Sequence, residues 1–364
     1  MTGIYVHVPF CVSKCPYCDF YSQTDRCDET KDAFTEAVLD RFSQYEGVTA
    51  DTLYFGGGTP SLLGGKRLAA LVEGARRQFG LANAEITLEA NPADDLYDTV
   101  AAFAAAGGNR VSMGVQAVSD RHLQRLGRRH TVGQVERAVT DVRRAGIANL
   151  SLDLMLGTPE QTEEDIFAAV ERFAVWGADH VSAYLLKLEP NTPFGKTPPP
   201  IPDEDGAAAL YLAMGEAADR HGYRQYEISN FAKSGYESRH NLKYWNSEPY
   251  LGFGPAAHSF FEGKRFYYPR SLTAFINGVK PLSEENDTIE NNTREEYAML
   301  RLRLTEGLTE RDFLARFGTS LPEEWRARAK KLPSHLVTQD EHGIGFSREG
   351  FLVSDSLIAR ILWE

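Results

Sequence analysis

Cysteine is scarce in this chain: there are four in 364 residues, three of them between positions 11 and 18 and the fourth at Cys27. So few thiols in so long a chain do not form the disulfide framework of a small secreted domain. The stretch Met1-Thr2-Gly3-Ile4-Tyr5-Val6-His7 lacks a basic segment followed by an apolar one, so a cytoplasmic protein with reduced thiols is expected. Long apolar runs are missing as well, and none reaches the length of a membrane span. Positive charge is in deficit, with 39 Lys+Arg against 51 Asp+Glu and a net charge of −12. That balance argues against general affinity for nucleic acid, so no nucleic-acid partner is expected, and it leaves peripheral membrane contact open. The 42% hydrophobic content suffices for a large core, arranged as two domains or as one large barrel with an appendage.

The three clustered cysteines stand as Cys11-Val12-Ser13-Lys14-Cys15-Pro16-Tyr17-Cys18. Three thiolates close together, yet spaced to point at different irons, can wrap one face of a [4Fe-4S] cube and leave its fourth iron without a protein ligand. An open iron is what binding of S-adenosylmethionine (SAM) to a cluster requires. Zinc would want a fourth ligand, and the nearest candidates, His7 and Cys27, do not complete a paired-knuckle spacing. Cys27 stands apart and reads as an ordinary thiol.

Short apolar stretches alternate with segments of helical period. Strands are predicted at Ile4–Pro9, Thr52–Phe55, Glu85–Glu89, Arg110–Val115, Leu150–Met155 and His180–Leu186. Helices are predicted at Lys31–Tyr45, Lys66–Phe79, Asp94–Ala106, Val132–Ala145, Glu163–Trp176 and Glu204–His221. Six β-α units in series imply a parallel sheet. Six are too few to close an eight-stranded barrel, so the predicted fold class is α/β, a partial (β/α)6 barrel with its active face at the C-terminal strand ends.

Glycines and polar residues fall at those ends: Gly56-Gly57-Gly58-Thr59-Pro60, Glu89-Ala90-Asn91-Pro92, Gly114-Val115-Gln116 and Asp153 ahead of Leu156-Gly157. The triple glycine lets backbone approach a ligand and offers N–H and C=O groups to an amino acid, although a plain strand-to-helix turn would use the same residues. Asn91 is expected to cap the following helix, which leaves Glu89 for a ligand. Asp153 lies inside an apolar run, where an unpaired carboxylate is costly, so it is expected to bind something. Arg128 could pair with the carboxylate of SAM or with one of these acids, and Arg129 beside it reads as a surface cation.

Together, Ile4 to Cys11, the cysteine loop, Phe55 to Pro60, Ser112 to Gln116 and Asp153 to Gly157 resemble the family of the oxygen-independent coproporphyrinogen III oxidase HemN and its relative HemW, over essentially the whole chain. The resemblance implies a radical SAM barrel with Cys11, Cys15 and Cys18 as cluster ligands. It further implies SAM contacts from Tyr5, Tyr17, Gly57, Gly58, Thr59, Glu89, Gln116, Arg128 and Asp153. HemN oxidases have a further cysteine two residues past the third, where Phe20 stands here, and an N-terminal extension ahead of the motif. The segment Arg239-His240-Asn241-Leu242-Lys243-Tyr244-Trp245 matches the HNxxYW signature of the haem-chaperone branch, and that branch is the one expected.

That signature suggests His240 as an axial ligand to haem iron, with Tyr244 and Trp245 stacking on the porphyrin. The alternative keeps His240 as a hydrogen-bonding residue between the barrel and the C-terminal part, with the two aromatics in the core. His258, after the glycine-rich Gly252-Phe253-Gly254, is a second candidate, and His7 beside the cysteine loop either lines the pocket or packs in its strand.

Residues 191–203, rich in proline, are expected to drape across the barrel without regular structure. The expected division is a barrel over 1–230, a connecting segment over 231–290 that carries the signature, and a module over 291–364. Helices at Arg294–Leu304, Thr309–Phe317 and Leu321–Leu332, followed by a hairpin turning near Asp340–Gly343, make that module winged-helix-like and mainly helical. Its Arg326, Arg328, Lys330 and Lys331 are interleaved with acids and read as a solvated face.

Three functions are weighed. One is a chaperone that binds haem beside a SAM-coordinated [4Fe-4S] cluster and passes it to apoproteins, by resemblance those of the respiratory chain. Another is a radical SAM enzyme of the coproporphyrinogen oxidase type, and the third is a protein that uses its cluster as a structural staple. A homodimer is compatible with all three.

Overall fold

The computed structural model describes residues 1–24, 27–283 and 293–364. Its centre is a parallel sheet of β1 (Thr2–Val8), β2 (Ala50–Gly57), β3 (Glu85–Ala90), β4 (Arg110–Gln116), β5 (Asn149–Leu156) and β6 (His180–Leu185), hydrogen-bonded in that order. The six predicted strands are all present. Their apolar residues point outward into the helical layer: Ile4, Val6 and Val8 of β1 are fully buried, as are Leu150, Leu152 and Leu156 of β5. Each such side chain contributes roughly 1.5–3 kcal/mol on burial.

Helices α1 (Asp28–Phe42), α2 (Gly65–Phe79), α3 (Tyr97–Ala105), α4 (Asp120–Arg125), α5 (Val132–Arg144) and α6 (Glu163–Val175) cross between successive strands. Two begin in capping boxes, Thr131 with Gln134 and Thr162 with Asp165, in which side chains satisfy otherwise orphaned N–H groups. α3 starts later than expected. Asn91 accepts from the N–H of Ala93 at 3.0 Å and closes a local turn, and the N-cap of α3 is Leu96. A short helix, α7 (Pro193–Lys196), interrupts the proline-rich stretch, because Pro193 occupies a first-turn position where its missing N–H costs nothing. α8 (Glu204–Arg220) completes the series.

The sheet is open and wider than the sequence pattern suggests. Beyond β6 lie β8 (Asn230–Ala232) and β7 (Arg224–Glu227), both antiparallel. Helix α9 (Arg239–Trp245) then returns the chain to the other edge, where β9 (Tyr250–Phe253) pairs parallel with β1. β10 (His258–Phe261), β11 (Lys264–Tyr267) and β12 (Leu282–Ser283) follow antiparallel, with α10 (Leu272–Ile276) between the last two. The segment expected to connect two parts thus extends the barrel sheet. The expected boundary at 290/291 lies outside the described residues.

The C-terminal module runs α11 (Arg294–Arg301), β13 (Leu308–Thr309), α12 (Glu310–Phe317), α13 (Glu323–Ala329), β14 (Val337–Gln339), β15 (Gly343–Phe346), α14 (Arg348–Leu352) and α15 (Ser354–Leu362). Its core is aromatic, with Phe313 at 4.7 Å from Phe317 and 5.9 Å from Trp325 between ring centres. Arg326 pairs with Glu310 at 2.6 Å, and Arg328 donates to the last carbonyls of α15, so both serve the module's own packing. The module joins the barrel through Arg301 to Asn246 at 2.5 Å and Thr305 N–H to the Tyr226 carbonyl at 3.0 Å.

Candidate functional site

Three backbone straps place the cysteine loop at the C-terminal end of β1. The N–H of Gly58 donates to Val8 at 2.9 Å, that of Thr59 to Phe10 at 2.7 Å, and that of Cys11 to Gln23 at 2.9 Å. The first two straps require glycine. A Cβ on Gly58 would stand 2.7 Å from the Phe10 carbonyl oxygen, and one on Gly57, whose φ is +109°, would stand 2.7 Å from the His7 ring. The Gly56–Gly58 run therefore serves first to lay the β2 loop against the root of the cysteine loop. From the other side, the Phe194 N–H donates to Pro16 at 3.0 Å, so the proline-rich stretch does drape over this loop.

Cys11, Cys15 and Cys18 line one cavity of about 1040 Å³, together with Tyr5, Tyr17, Gly57, Gly58, Thr59, Glu89, Gln116, Arg128 and Asp153. All the residues that the family resemblance implies for cluster and SAM thus share one wall. Cys27 is elsewhere, at the start of α1, with its Sγ 2.8 Å from Thr30 Oγ1.

Burial dominates the electrostatics of this wall. Glu89 accepts from Tyr54 Oη at 2.9 Å and from the Gly57 N–H at 3.3 Å, yet desolvation, with Asp153 nearby, pushes its carboxyl up to about 7. Asp153 accepts from Ser112 Oγ at 3.2 Å and is pushed up to about 6, again by burial. Burial raises the Cys18 thiol too, with a smaller contribution from the thiols of Cys15 and Cys11. Arg128 brings the nearest fixed cation, its Nη1 3.5 Å from Cys15 Sγ and its Nη2 donating to the Gly114 carbonyl at 2.6 Å.

Two buried polar atoms on this wall have no partner, Gln116 Oε1 and Arg128 Nε. Gln116 moreover adopts a left-handed φ of +71°, a strained conformation for a non-glycine residue that commonly marks a functional position. An orphan acceptor, an orphan donor, buried carboxyls and a glycine-lined backbone fit a zwitterionic amino acid. Among the described residues, no three His, Cys, Asp or Glu side chains have the geometry of a single-ion site; a cube takes each thiolate on a different iron. The donor set fits a [4Fe-4S] cluster held by Cys11, Cys15 and Cys18, with SAM along Gly57, Glu89, Gln116, Arg128 and Asp153. When bound, the pair would supply one-electron chemistry at this wall.

On the signature helix α9, His240 is held by neighbouring side chains. Its Nδ1 lies 2.8 Å from Thr52 Oγ1 and its Nε2 2.8 Å from Tyr244 Oη, and the residue is 1% exposed. Both ring nitrogens are thus engaged within the protein, and the ring stacks against Tyr54 and Tyr5, whose own rings lie 6.2 Å apart. His240 pins α9 into the barrel. Of the signature residues, Tyr244 reaches the cavity wall, whereas His240 and Trp245 do not.

His7 is likewise engaged, by Tyr5 Oη at 3.2 Å and the Tyr21 carbonyl at 2.8 Å, and burial lowers it to about 4. The sequence reading missed Arg110, fully buried at the start of β4, whose charge acts on Glu89 and Asp153. A lone arginine opening an apolar strand gives no periodic signal. It also missed an aromatic and basic rim of Tyr184, Tyr250, Tyr267, Lys14 and Arg270 around the same cavity.

Comparison with known proteins decides the family. The sequence model of the Radical SAM superfamily matches residues 5–173. The haem chaperone HemW of Escherichia coli (strain K12) is 36% identical over 87% of this chain and 86% of its own length. HemW of Mycobacterium tuberculosis (strain CDC 1551 / Oshkosh) is 34% identical over 99% and 94%, and HemW of Bacillus subtilis (strain 168) 32% over 100% of each. The chain belongs to the HemW family. Among solved structures, coproporphyrinogen III oxidase (HemN) from Escherichia coli superposes with a TM-score of 0.81 over 99% of this chain and 89% of that one, at 21% identity. That match shows a shared fold. HemW relatives and this chain thus have in common a radical SAM barrel with its [4Fe-4S] and SAM cofactors.

Proposed function

We propose that this protein is a haem chaperone that holds haem beside a SAM-coordinated [4Fe-4S] cluster and passes it to acceptor proteins. One observation carries the reading: the wall built for cluster and SAM is continuous, within a single cavity, with Tyr21, Tyr250 and Tyr267. Flat aromatic faces suit a porphyrin, and Lys14 and Arg270 on the rim suit its carboxylates. The names of the HemW relatives point the same way.

We extend the reading to respiratory haem enzymes as acceptors, which would bring the protein to a membrane surface. No helix among the described residues is long and apolar enough to cross a membrane, so such contact is peripheral. Two copies associating on haem loading is the further part of the proposal, which sedimentation with and without haem tests.

The test is anaerobic titration of the reconstituted protein with haemin, followed by incubation with an apo haem enzyme. A stoichiometric Soret band that moves to the acceptor supports the reading. Failure to bind haem contradicts it, and so does conversion of coproporphyrinogen III with release of 5′-deoxyadenosine.

A further inference from the structure

The inward face of the barrel is polar below the SAM wall as well as on it. On β4, Ser112 and Gly114 line the cavity, and strand alternation places Arg110 on the same face, about 7 Å deeper into the barrel than Ser112. Its ladder partners are Thr87 on β3 and Asn149 on β5. Across this one row, Thr87 Oγ1, Arg110 Nε and Asn149 Oδ1 are all buried without a hydrogen-bond partner.

Arg110 is 1% exposed, and burying a guanidinium is costly unless other groups draw on its charge. Glu85, the carboxylate with the largest pull on it, is already held by the N–H groups of Arg239 and His240 at 3.2 and 3.1 Å. Tyr54 of β2, Tyr226 of β7 and Asp153 of β5 also face it, and its charge reaches Glu89 of β3, His180 of β6 and His240 of α9. Burial lowers both histidines, so neither carries a competing charge. The other groups around Glu89 are the hydroxyls of Tyr5, Tyr54, Tyr184 and Tyr244, which burial raises and keeps neutral. Arg110 is thus the cation beneath Glu89, and it shares Asp153 with Arg128 on the cavity side.

We infer that Arg110 is a positioning residue that keeps Glu89 and Asp153 ionised for the cationic part of SAM, acting from inside the barrel without touching the ligand. The inference rests on the reading that places SAM along this wall. Arg110 does not line the cavity, so its effect passes through the two carboxylates. The strand supplies the mount: two residues beyond Arg110, Ser112 Oγ donates to Asp153 at 3.2 Å, and Ser112 stands opposite Glu89 in the ladder. Any drift of β4 would therefore move the guanidinium and both acids together.

The experiment titrates reconstituted wild-type protein, Arg110→Met and Arg110→Lys with SAM across neutral and alkaline pH, reading the EPR signal of the reduced cluster. Cluster content is measured in parallel as a check on folding. Arg110→Met should bind SAM about tenfold more weakly near about pH 6.5, and the deficit should close by about pH 8.5, because alkali ionises the two carboxyls without help. Arg110→Lys, which keeps the charge, should follow the wild-type profile. Wild-type affinity in Arg110→Met at every pH overturns the inference, and so does a loss of equal size at every pH, the mark of a packing defect. If Arg110→Met holds no cluster, Arg110→Lys decides: the wild-type profile supports the inference and any weaker binding overturns it. In each of these cases the wild type's response to SAM leaves the SAM wall standing. A wild-type cluster that ignores SAM at every pH removes the wall, and the inference falls with it.

Discussion

Arg128 Nη1 stands 3.5 Å from Cys15 Sγ, while Nη2 of the same guanidinium is held by the Gly114 carbonyl at 2.6 Å. One cation thus touches both the cysteine loop and the end of β4, where Gln116 keeps an unpartnered buried Oε1. The barrel sheet, and not the loop alone, orients the cluster ligands against the SAM wall.

Arg128→Met should still assemble the cluster, because no thiol is lost. SAM affinity should fall roughly 10- to 100-fold, the loss of a charged hydrogen bond of about 1.5–3 kcal/mol. Titrating the EPR signal of the reduced cluster with SAM measures this, and an unchanged midpoint would remove Arg128 from the SAM wall.

Glu89 predicts a pH effect with a definite sign. Burial raises its carboxyl from 4.5 to about 7, so between those values the folded state binds more protons than the unfolded one. Stability from this group is therefore lost as pH rises through that window. Glu89→Gln should flatten this part of the stability profile in denaturant melts from pH 4.5 to pH 7. A cationic SAM ammonium at the wall would favour the carboxylate, so at about pH 6 SAM binding should release a proton. Calorimetry in buffers of different ionisation enthalpy counts that proton, and the count should fall in Glu89→Gln to the share that Asp153, raised to about 6, supplies.

The glycine straps predict a structural cost. Gly58→Ala would drive a methyl to 2.7 Å from the Phe10 carbonyl oxygen, a backbone atom that cannot swing away. A loss of about 1–3 kcal/mol follows, read as a melting temperature lower by several degrees together with poorer cluster retention. Wild-type stability in this variant would show that the β2 loop is not strapped as described.

His240→Ala is expected to act through stability. Two buried hydrogen bonds, to Thr52 and Tyr244, disappear, which costs roughly 2–4 kcal/mol. Thr52→Val should cost less, and the double variant less than the sum of the two, because both lose the same contact. Strict additivity in chemical denaturation would contradict the pin.

The barrel was legible because short apolar strands alternate with helices of clear period, and Gly57, Glu89 and Gln116 sit at strand ends that the pattern could locate, whereas Asp153 lies within β5 and Arg128 follows α4. The outer strands were not legible. β7 to β12 are two to four residues long and join a sheet edge set by tertiary contact, so residues 231–290 read as a connector. In α9, which the sequence pattern did not reveal, His240 and Tyr244 stand one helical turn apart. Which of the two would meet the cavity depends on how α9 is rotated against β1 and β2, and no local pattern encodes that rotation.

The central claim is that Cys11, Cys15 and Cys18 hold a cube whose fourth iron is left for SAM. Mössbauer spectroscopy of protein rebuilt without oxygen with isotopically enriched iron, before and after SAM is added, tests it most directly. The account predicts a [4Fe-4S] signature in which one iron in four changes its isomer shift on SAM binding. Absence of a cubane, or a spectrum that SAM leaves untouched, would contradict it.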